Sequence, residues 1–205
     1  MSSVDNLRLW YNPALVKNDI EIEVKVRAEN PARLIQFLET KAKFIHELHQ
    51  VDEYFNAPHR DFTTTRPVKE WLRLRSSGQV AVTYKLWHYD DAGNALYADE
   101  YETAIGDIAT MHKIFHALNF APLVTVEKTR RTWNYQDYEI ALDRVKNLGD
   151  FIEIEYKGKP TTDPKTINDD MLTFLKDIDC GQIERSHQGY AMMLLHPDEM
   201  KLERV

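Results

Sequence analysis

The chain has 205 residues, of which 43% are hydrophobic and 29% charged, and a formal net charge of -7 at pH 7. This is the composition of a soluble globular protein, with one domain over 1–205 as the expectation. The acidic balance argues against a protein devoted to duplex nucleic acid, and no apolar run approaches the roughly 20 residues of a membrane span. A single cysteine, Cys180, excludes an internal disulfide and points to a reducing compartment. Met1-Ser2-Ser3-Val4-Asp5 shows neither the basic nor the apolar region of a signal peptide, so a cytoplasmic location is expected.

Residues 1–18 read as an irregular lead-in containing Pro13. Ile20-Glu21-Ile22-Glu23-Val24-Lys25-Val26 then alternates strictly between apolar and charged residues, the period of a strand running from Ile20 to about Arg27. Asn30-Pro31 places an N-cap and a first-turn proline before a helix reaching about Lys43. A second strand centres on Gln50 to Phe55, and a long loop follows through Pro67. Trp71 to Arg75 and Val80 to Leu86 form a hairpin about Ser76-Ser77-Gly78-Gln79, and Ala98 to Ala104 returns after a turn at Asp90 to Asn94. Asp107 caps a second helix. Val124 to Trp133, Tyr138 to Val145 and Phe151 to Lys157 are the last three of eight strands. Helices follow from Asp163-Pro164 and around Tyr190, within a C-terminal helical part over 163–196, and Asp198 to Val205 reads as a charged, frayed end. Many short strands joined by polar turns fit an antiparallel sandwich or a closed barrel.

Parity assigns each charged side chain to a face. Glu21, Glu23 and Lys25 share one face of the first strand. Further along, the same reading collects Asp52 with Tyr54, then Arg73 and Arg75, Lys85 with Thr83, Glu100 and Glu102, Lys128 and Arg130, Asp143 with Glu139, and Glu153 with Glu155. For any one strand this is also the pattern of a half-solvated face. Taken together, the signs are segregated: glutamates dominate the first, fifth and eighth strands, and arginine and lysine the third, fourth and sixth. A solvated surface interleaves its signs, whereas a charged interior must pair its groups or bind something. Carboxylates suit a divalent ion with oxygen ligands, and arginine and lysine suit phosphate oxygens.

The ordered set Glu21-x-Glu23-x-Lys25, Gln50-x-Asp52-x-Tyr54-Phe55, Leu72-Arg73-Leu74-Arg75, Tyr84-Lys85, Glu100-x-Glu102, Glu127-Lys128-x-Arg130 and Leu142-Asp143 through Glu153-x-Glu155 resembles the CYTH superfamily. That superfamily unites class IV adenylyl cyclases and thiamine triphosphatases, and its members are also called triphosphate tunnel metalloenzymes. The likeness covers about residues 20–157, and Tyr54 to Phe62 is most similar to the CyaB-like branch. Arg66 to Trp71 departs from the Thr-Asp-Glu-Ala-like run that family members often carry there.

The resemblance implies an α+β fold: an eight-stranded antiparallel closed barrel with flanking helices, its tunnel holding a triphosphate and Mg2+ or Mn2+. It makes Glu21, Glu23 and Glu153 the leading metal ligands, with Glu155 and Asp143 next and Glu100 and Glu102 for a second metal or for orienting bases. Lys25, Arg73, Arg75, Lys85, Lys128 and Arg130 are implied to grip the phosphates. Glu155 and Asp143 are equally read as salt-bridge partners of neighbouring bases. The expected substrate is ATP, cyclised to cyclic AMP and pyrophosphate. The alternative is hydrolysis of inorganic triphosphate, thiamine triphosphate or a nucleoside triphosphate. No nucleic-acid or membrane partner is expected, and a homodimer is left open. His46 and His49 form no zinc-like cluster, and Tyr190 is read either as closing one tunnel mouth or as core.

Overall fold

The computed structural model describes residues 20–159 and 163–205; the irregular lead-in read at 1–18 lies outside the described residues. The elements run β1 (Ile20–Glu21), β2 (Glu23–Ala28), α1 (Pro31–Lys41), β3 (Lys43–Asn56), β4 (Glu70–Ser77), β5 (Gln79–Tyr89), β6 (Ala95–Ala104), α2 (Ile108–Ala117), β7 (Ala121–Tyr135), β8 (Tyr138–Val145), β9 (Gly149–Tyr156), α3 (Pro164–Asp177), β10 (Ile183–Ser186), α4 (Tyr190–Leu195) and β11 (Glu203–Arg204). The strands make one sheet in the order β1-β6-β5-β4-β3-β7-β8-β9-β2-β10-β11, and every pairing within it is antiparallel.

All eight expected strand segments form, but the count and the closure differ from the expectation. The first segment divides at Ile22. Its start pairs with β6 through Ile20↔Asp99 and Glu21↔Ala98. Its remainder pairs with β9 from Glu23↔Glu155 onward. One N-terminal segment thus touches both flanks of the sheet, yet no continuous ladder closes it. The edge of β2 that could meet β6 is occupied by β10, in the register Ile183↔Ala28 to Ser186↔Lys25. β10 and β11 are additions that sequence reading did not expect, and β11 lies in the end read as frayed, pairing with β10. The second strand is longer than expected and displaces the end of the first helix, because β3 pairs with β7 from Lys43↔Asn134 to Asn56↔Ala121.

Local signals explain the element ends. Asp107 caps α2 by accepting from the backbone N–H of Ala109 and Thr110, and Asp163 caps α3 by accepting from Thr166. Asn30 stands at the N-cap of α1 without a side-chain cap bond; its backbone N–H donates to the Cys180 carbonyl instead. Between β4 and β5, Ser77 pairs with Gln79 and Gly78 sits at φ +55°, a conformation that favours glycine.

Helices cover the outer, apolar face of the sheet. Val24, Val26, Ile140, Ile152 and Ile154 pack against Leu34 and Leu38 of α1 and Ile167, Met171 and Leu175 of α3. Leu34 and Leu38 are fully buried, each worth about 1.5–3 kcal/mol of transfer free energy. Phe55 and Leu74 meet Phe115 of α2 on the same side. On the opposite face, α4 packs Tyr190, Ala191, Met192 and Met193 against Trp71, Val126, Val145 and Phe151. With both faces covered, the charged members of each alternating strand are left with the space beside α4.

Candidate active site: a charged cavity inside the sheet

That space is a cavity of about 250 Å3, slightly smaller than the roughly 300–1,000 Å3 of most small-molecule pockets. Its lining takes Glu21 from β1, Glu23 and Lys25 from β2, Arg73 and Arg75 from β4, Lys85 from β5, Glu100 and Glu102 from β6, Lys128 and Arg130 from β7, and Glu153 and Glu155 from β9. Twelve of the thirteen residues singled out from the sequence therefore share one cavity. The thirteenth, Asp143, is not among its lining. Eight polar or aromatic residues outside that set also line it: Asp52, Tyr54, Trp71, Thr83, Trp87, Glu139, Lys157 and Tyr190. Parity already places Asp52, Tyr54, Thr83 and Glu139 on these faces; extended by two residues it also reaches Trp71 beside Arg73, Trp87 beside Lys85 and Lys157 beside Glu155.

The basic wall is held by buried carboxylates. Asp52 accepts a two-pronged contact from Arg75, at 2.7 and 2.8 Å, and lies 3.7 Å from Arg73. Burial pushes the Asp52 carboxyl up, but the Arg75 hydrogen bond and the charges of Arg73 and Arg75 win and hold it well below its usual range. Asp143 does the same one strand pair away. Its side chain is fully enclosed and accepts from Lys128 Nζ at 2.9 Å, from Arg130 at 2.7 and 2.6 Å, and from the Tyr190 hydroxyl at 3.0 Å. With Lys128, Arg130 and Tyr190 on Oδ2 and Arg130 on Oδ1, Asp143 orients the bases of this wall. Lys128 is the weakest acid-keeper of the wall: burial, then the neighbouring Arg130, pull its pKa down to about 8 against the attraction of Glu153 and Asp143.

Glu153 bridges the two halves. One oxygen lies 3.0 Å from Lys25 Nζ and the other contacts Arg130. Burial raises its pKa, and Arg130, Lys25 and Lys128 together overcome this and hold it well below the usual carboxylate range. Lys25, in turn, keeps its proton beyond the ordinary lysine range: burial opposes, while Glu153 and Glu23 prevail.

The acidic wall is under-neutralised. Lys85 contacts Glu21 and lies 2.8 Å from Glu100, and Arg73 stands 4.0 Å from the other oxygen of Glu100. Glu100 falls to about 2, since Lys85 and Arg73 outweigh burial. Glu21 goes the other way, raised by burial against Lys85, with Glu23, Glu100 and Glu155 adding repulsion. Glu155 is raised by burial and by Glu23 and Glu139, although Lys157 approaches at 2.5 Å. Oε2 of Glu21 and Oε2 of Glu100 are buried, and both converge on the one Lys85 ammonium. Buried carboxylates that share one ammonium keep part of their desolvation cost, which a further cation would relieve.

This donor set suits a hard divalent ion. Among the described residues no three acidic, histidine or cysteine side chains converge as a ready cage. Mg2+ does not need one, because it is held by one or two carboxylates together with phosphate oxygens and water. Glu21, Glu23 and Glu155 could supply those carboxylates. Glu153 could join them only by leaving Lys25 or Arg130.

An internal cavity with one basic and one acidic wall suits a polyanion and a cation together. The CYTH domain family model matches residues 19–190. A Methanocaldococcus jannaschii protein named "Putative adenylate cyclase" is 32% identical over 173 residues, covering 83% of this chain and 96% of that one. The solved Pyrococcus horikoshii protein PH1819 superposes with a TM-score of 0.71 at 26% identity, over 86% of this chain and 99% of that one. A Hippeastrum protein, described as a "putative adenylyl cyclase" that reveals a dominant triphosphatase activity, shares the fold at a TM-score of 0.59 and 17% identity, over 89% and 97% of the two chains. The chain belongs to the CYTH domain family, the triphosphate tunnel enzymes. No helix among the described residues is long and apolar enough to cross a membrane.

Proposed function

We propose that this protein is a metal-dependent enzyme acting on a triphosphate, and specifically a class IV-type adenylyl cyclase converting ATP to cyclic AMP and pyrophosphate. The observation that carries the first part is the division of one cavity into a basic wall, Arg73, Arg75, Lys128 and Arg130, and an acidic one where Glu21 and Glu100 share Lys85 and Glu23 faces Glu155. The support for the second part is the resemblance to the CyaB-like branch and the M. jannaschii relative's name.

In this reading the phosphate chain lies along the basic wall and takes over the ion pairs that now join Lys25, Lys85 and Arg130 to glutamates. Arg75 and Arg73, already aligned by Asp52, and Lys128 and Arg130, already aligned by Asp143, meet phosphate oxygens without reorganising. The glutamates so released are Glu21, Glu23 and Glu153, with Glu155 beside them and Glu100 and Glu102 either near a second ion or steering Arg73. Mg2+ or Mn2+ bound there supplies a Lewis acid toward the ribose 3′-oxygen or the α-phosphate. The 3′-oxygen bonds to the α-phosphorus as the bond from that phosphorus to the bridging oxygen breaks. The hydroxyl proton passes to solvent or to a glutamate, and the basic wall stabilises the departing pyrophosphate.

A second reading, triphosphate hydrolysis, has its own support. The charged walls that suit ATP suit any other triphosphate with its metal equally well. The fold accommodates that reaction in the Hippeastrum protein. One incubation separates the two. Purified protein is given ATP or inorganic triphosphate with Mg2+ or Mn2+, and cyclic AMP, pyrophosphate and orthophosphate are resolved. Cyclic AMP with equimolar pyrophosphate is expected; orthophosphate without cyclic AMP would replace the cyclase with a triphosphatase.

A further inference from the structure

Tyr190 opens α4 and forms part of the cavity lining, and it is only 6% exposed. Two ammonium groups stand over its ring: Lys25 Nζ at 4.5 Å and Lys128 Nζ at 4.9 Å from the centroid. Its hydroxyl donates to Asp143 Oδ2, the same oxygen that accepts from Lys128 and Arg130. One phenol therefore touches two bases of the cavity directly and a third through a shared carboxylate. The arrangement recurs once more in the same cavity, where Lys85 Nζ lies 5.2 Å from the Trp87 ring centroid. Buried ammoniums are attracted to the negative face of an aromatic ring, most strongly where water is excluded.

We propose that Tyr190 is a positioning residue for the triphosphate site, its ring holding Lys25 in place, beside the Lys128 that Asp143 already aligns, when bound phosphate draws Lys25 away from Glu153 and Glu23. The inference rests on the functional reading above. Lys25 is held now by Glu153 and Glu23, and Lys128 by Asp143. A phosphate chain competes with Glu153 and Glu23, and a four-carbon side chain freed from its counter-ion regains its rotamers. The ring face stays under both ammoniums whatever the carboxylates do, so the two lysines meet the phosphate at a fixed spacing. A purely structural role is the rival account, since the same ring also packs edge-on against Phe151 at 5.1 Å.

The two accounts separate when the ring's electrons are changed at constant shape. Phenylalanine and its 3,5-difluoro and 3,4,5-trifluoro forms are placed at position 190, and binding of inorganic tripolyphosphate is measured by calorimetry alongside thermal unfolding. Positioning predicts that Tyr190→Phe binds within about threefold of wild type and that affinity falls stepwise with fluorine, by about tenfold over the series, while KM rises more than kcat falls. Affinity that is flat across folded variants overturns the inference and leaves the functional reading intact. Wild-type protein that fails to bind tripolyphosphate overturns that reading, and this inference with it.

Discussion

Glu23 of β2 and Glu155 of β9 face each other directly across an antiparallel pair, and Glu155 is in turn the register partner of Glu139 on β8. Like charges directly opposed in a sheet are destabilising, and burial raises the cost. The chain keeps this repulsion at the cavity wall where a cation would relieve it. Glu155→Gln is therefore expected to stabilise the metal-free protein by about 0.5–1 kcal/mol, a rise of a few degrees in Tm at this chain length. Added Mg2+ or Mn2+ should then raise the Tm of wild type more than that of the variant. Thermal scans in chelator and in metal check both; a variant less stable than wild type in chelator would remove the repulsion argument.

Asp143 has the opposite character. Removing its charge leaves Lys128 and Arg130 buried without their partner. Asp143→Asn should cost about 3–5 kcal/mol and lower Tm by roughly ten degrees. Unchanged unfolding would show that Asp143 does not anchor the basic wall.

Glu153 holds Lys25 and Arg130 together and is also an expected metal ligand. Glu153→Gln should keep its folded circular dichroism at 25 °C and lose metal-dependent turnover by roughly 100-fold or more. Turnover at the wild-type rate would contradict the assignment of Glu153 to the metal.

A pH effect follows from His187. Its Nδ1 accepts the Ala95 backbone N–H. Burial first, then Arg185, lower its pKa from 6.5 to about 4, against the pull of Glu203 and Asp90. The unfolded chain takes up a proton as pH falls through 6.5 and the folded chain does so only near 4. Stability is thus lost over that window, on the order of 1–2 kcal/mol after allowing for partial solvent screening. His187→Asn keeps an acceptor for Ala95 and should flatten the slope. Chemical denaturation of both proteins at pH 7, 5.5 and 4.5 measures the difference; parallel curves would contradict it.

Much of this site was legible in the sequence because strands have a period of two. Once Glu21 and Glu23 are given a face, Lys25 follows, and the same rule carries Arg73 with Arg75 and Glu153 with Glu155 to the cavity. Parity does not supply register, however. Which carboxylate meets which base depends on pairings such as Arg130↔Asp143 and Lys25↔Glu153, and of the two roles read for Asp143, metal ligand or salt-bridge partner, these pairings show the ion pair. β10 and β11 were missed because segments of four and two residues show no alternation, and their strand state comes from the free edge of β2. Tyr190 was ambiguous because a residue at helical spacing reads as core, and here it is packed as core and also faces the cavity.

The most direct test of the central claim is a crystal structure with tripolyphosphate and Mn2+, with the metal located by its anomalous scattering. The account predicts the phosphate chain inside the sheet against Arg73, Arg75, Lys85, Lys128 and Arg130, and Mn2+ beside Glu21, Glu23 and Glu155, with Glu153 released toward it. Tripolyphosphate and Mn2+ bound only outside the cavity, with its internal ion pairs intact, would contradict it.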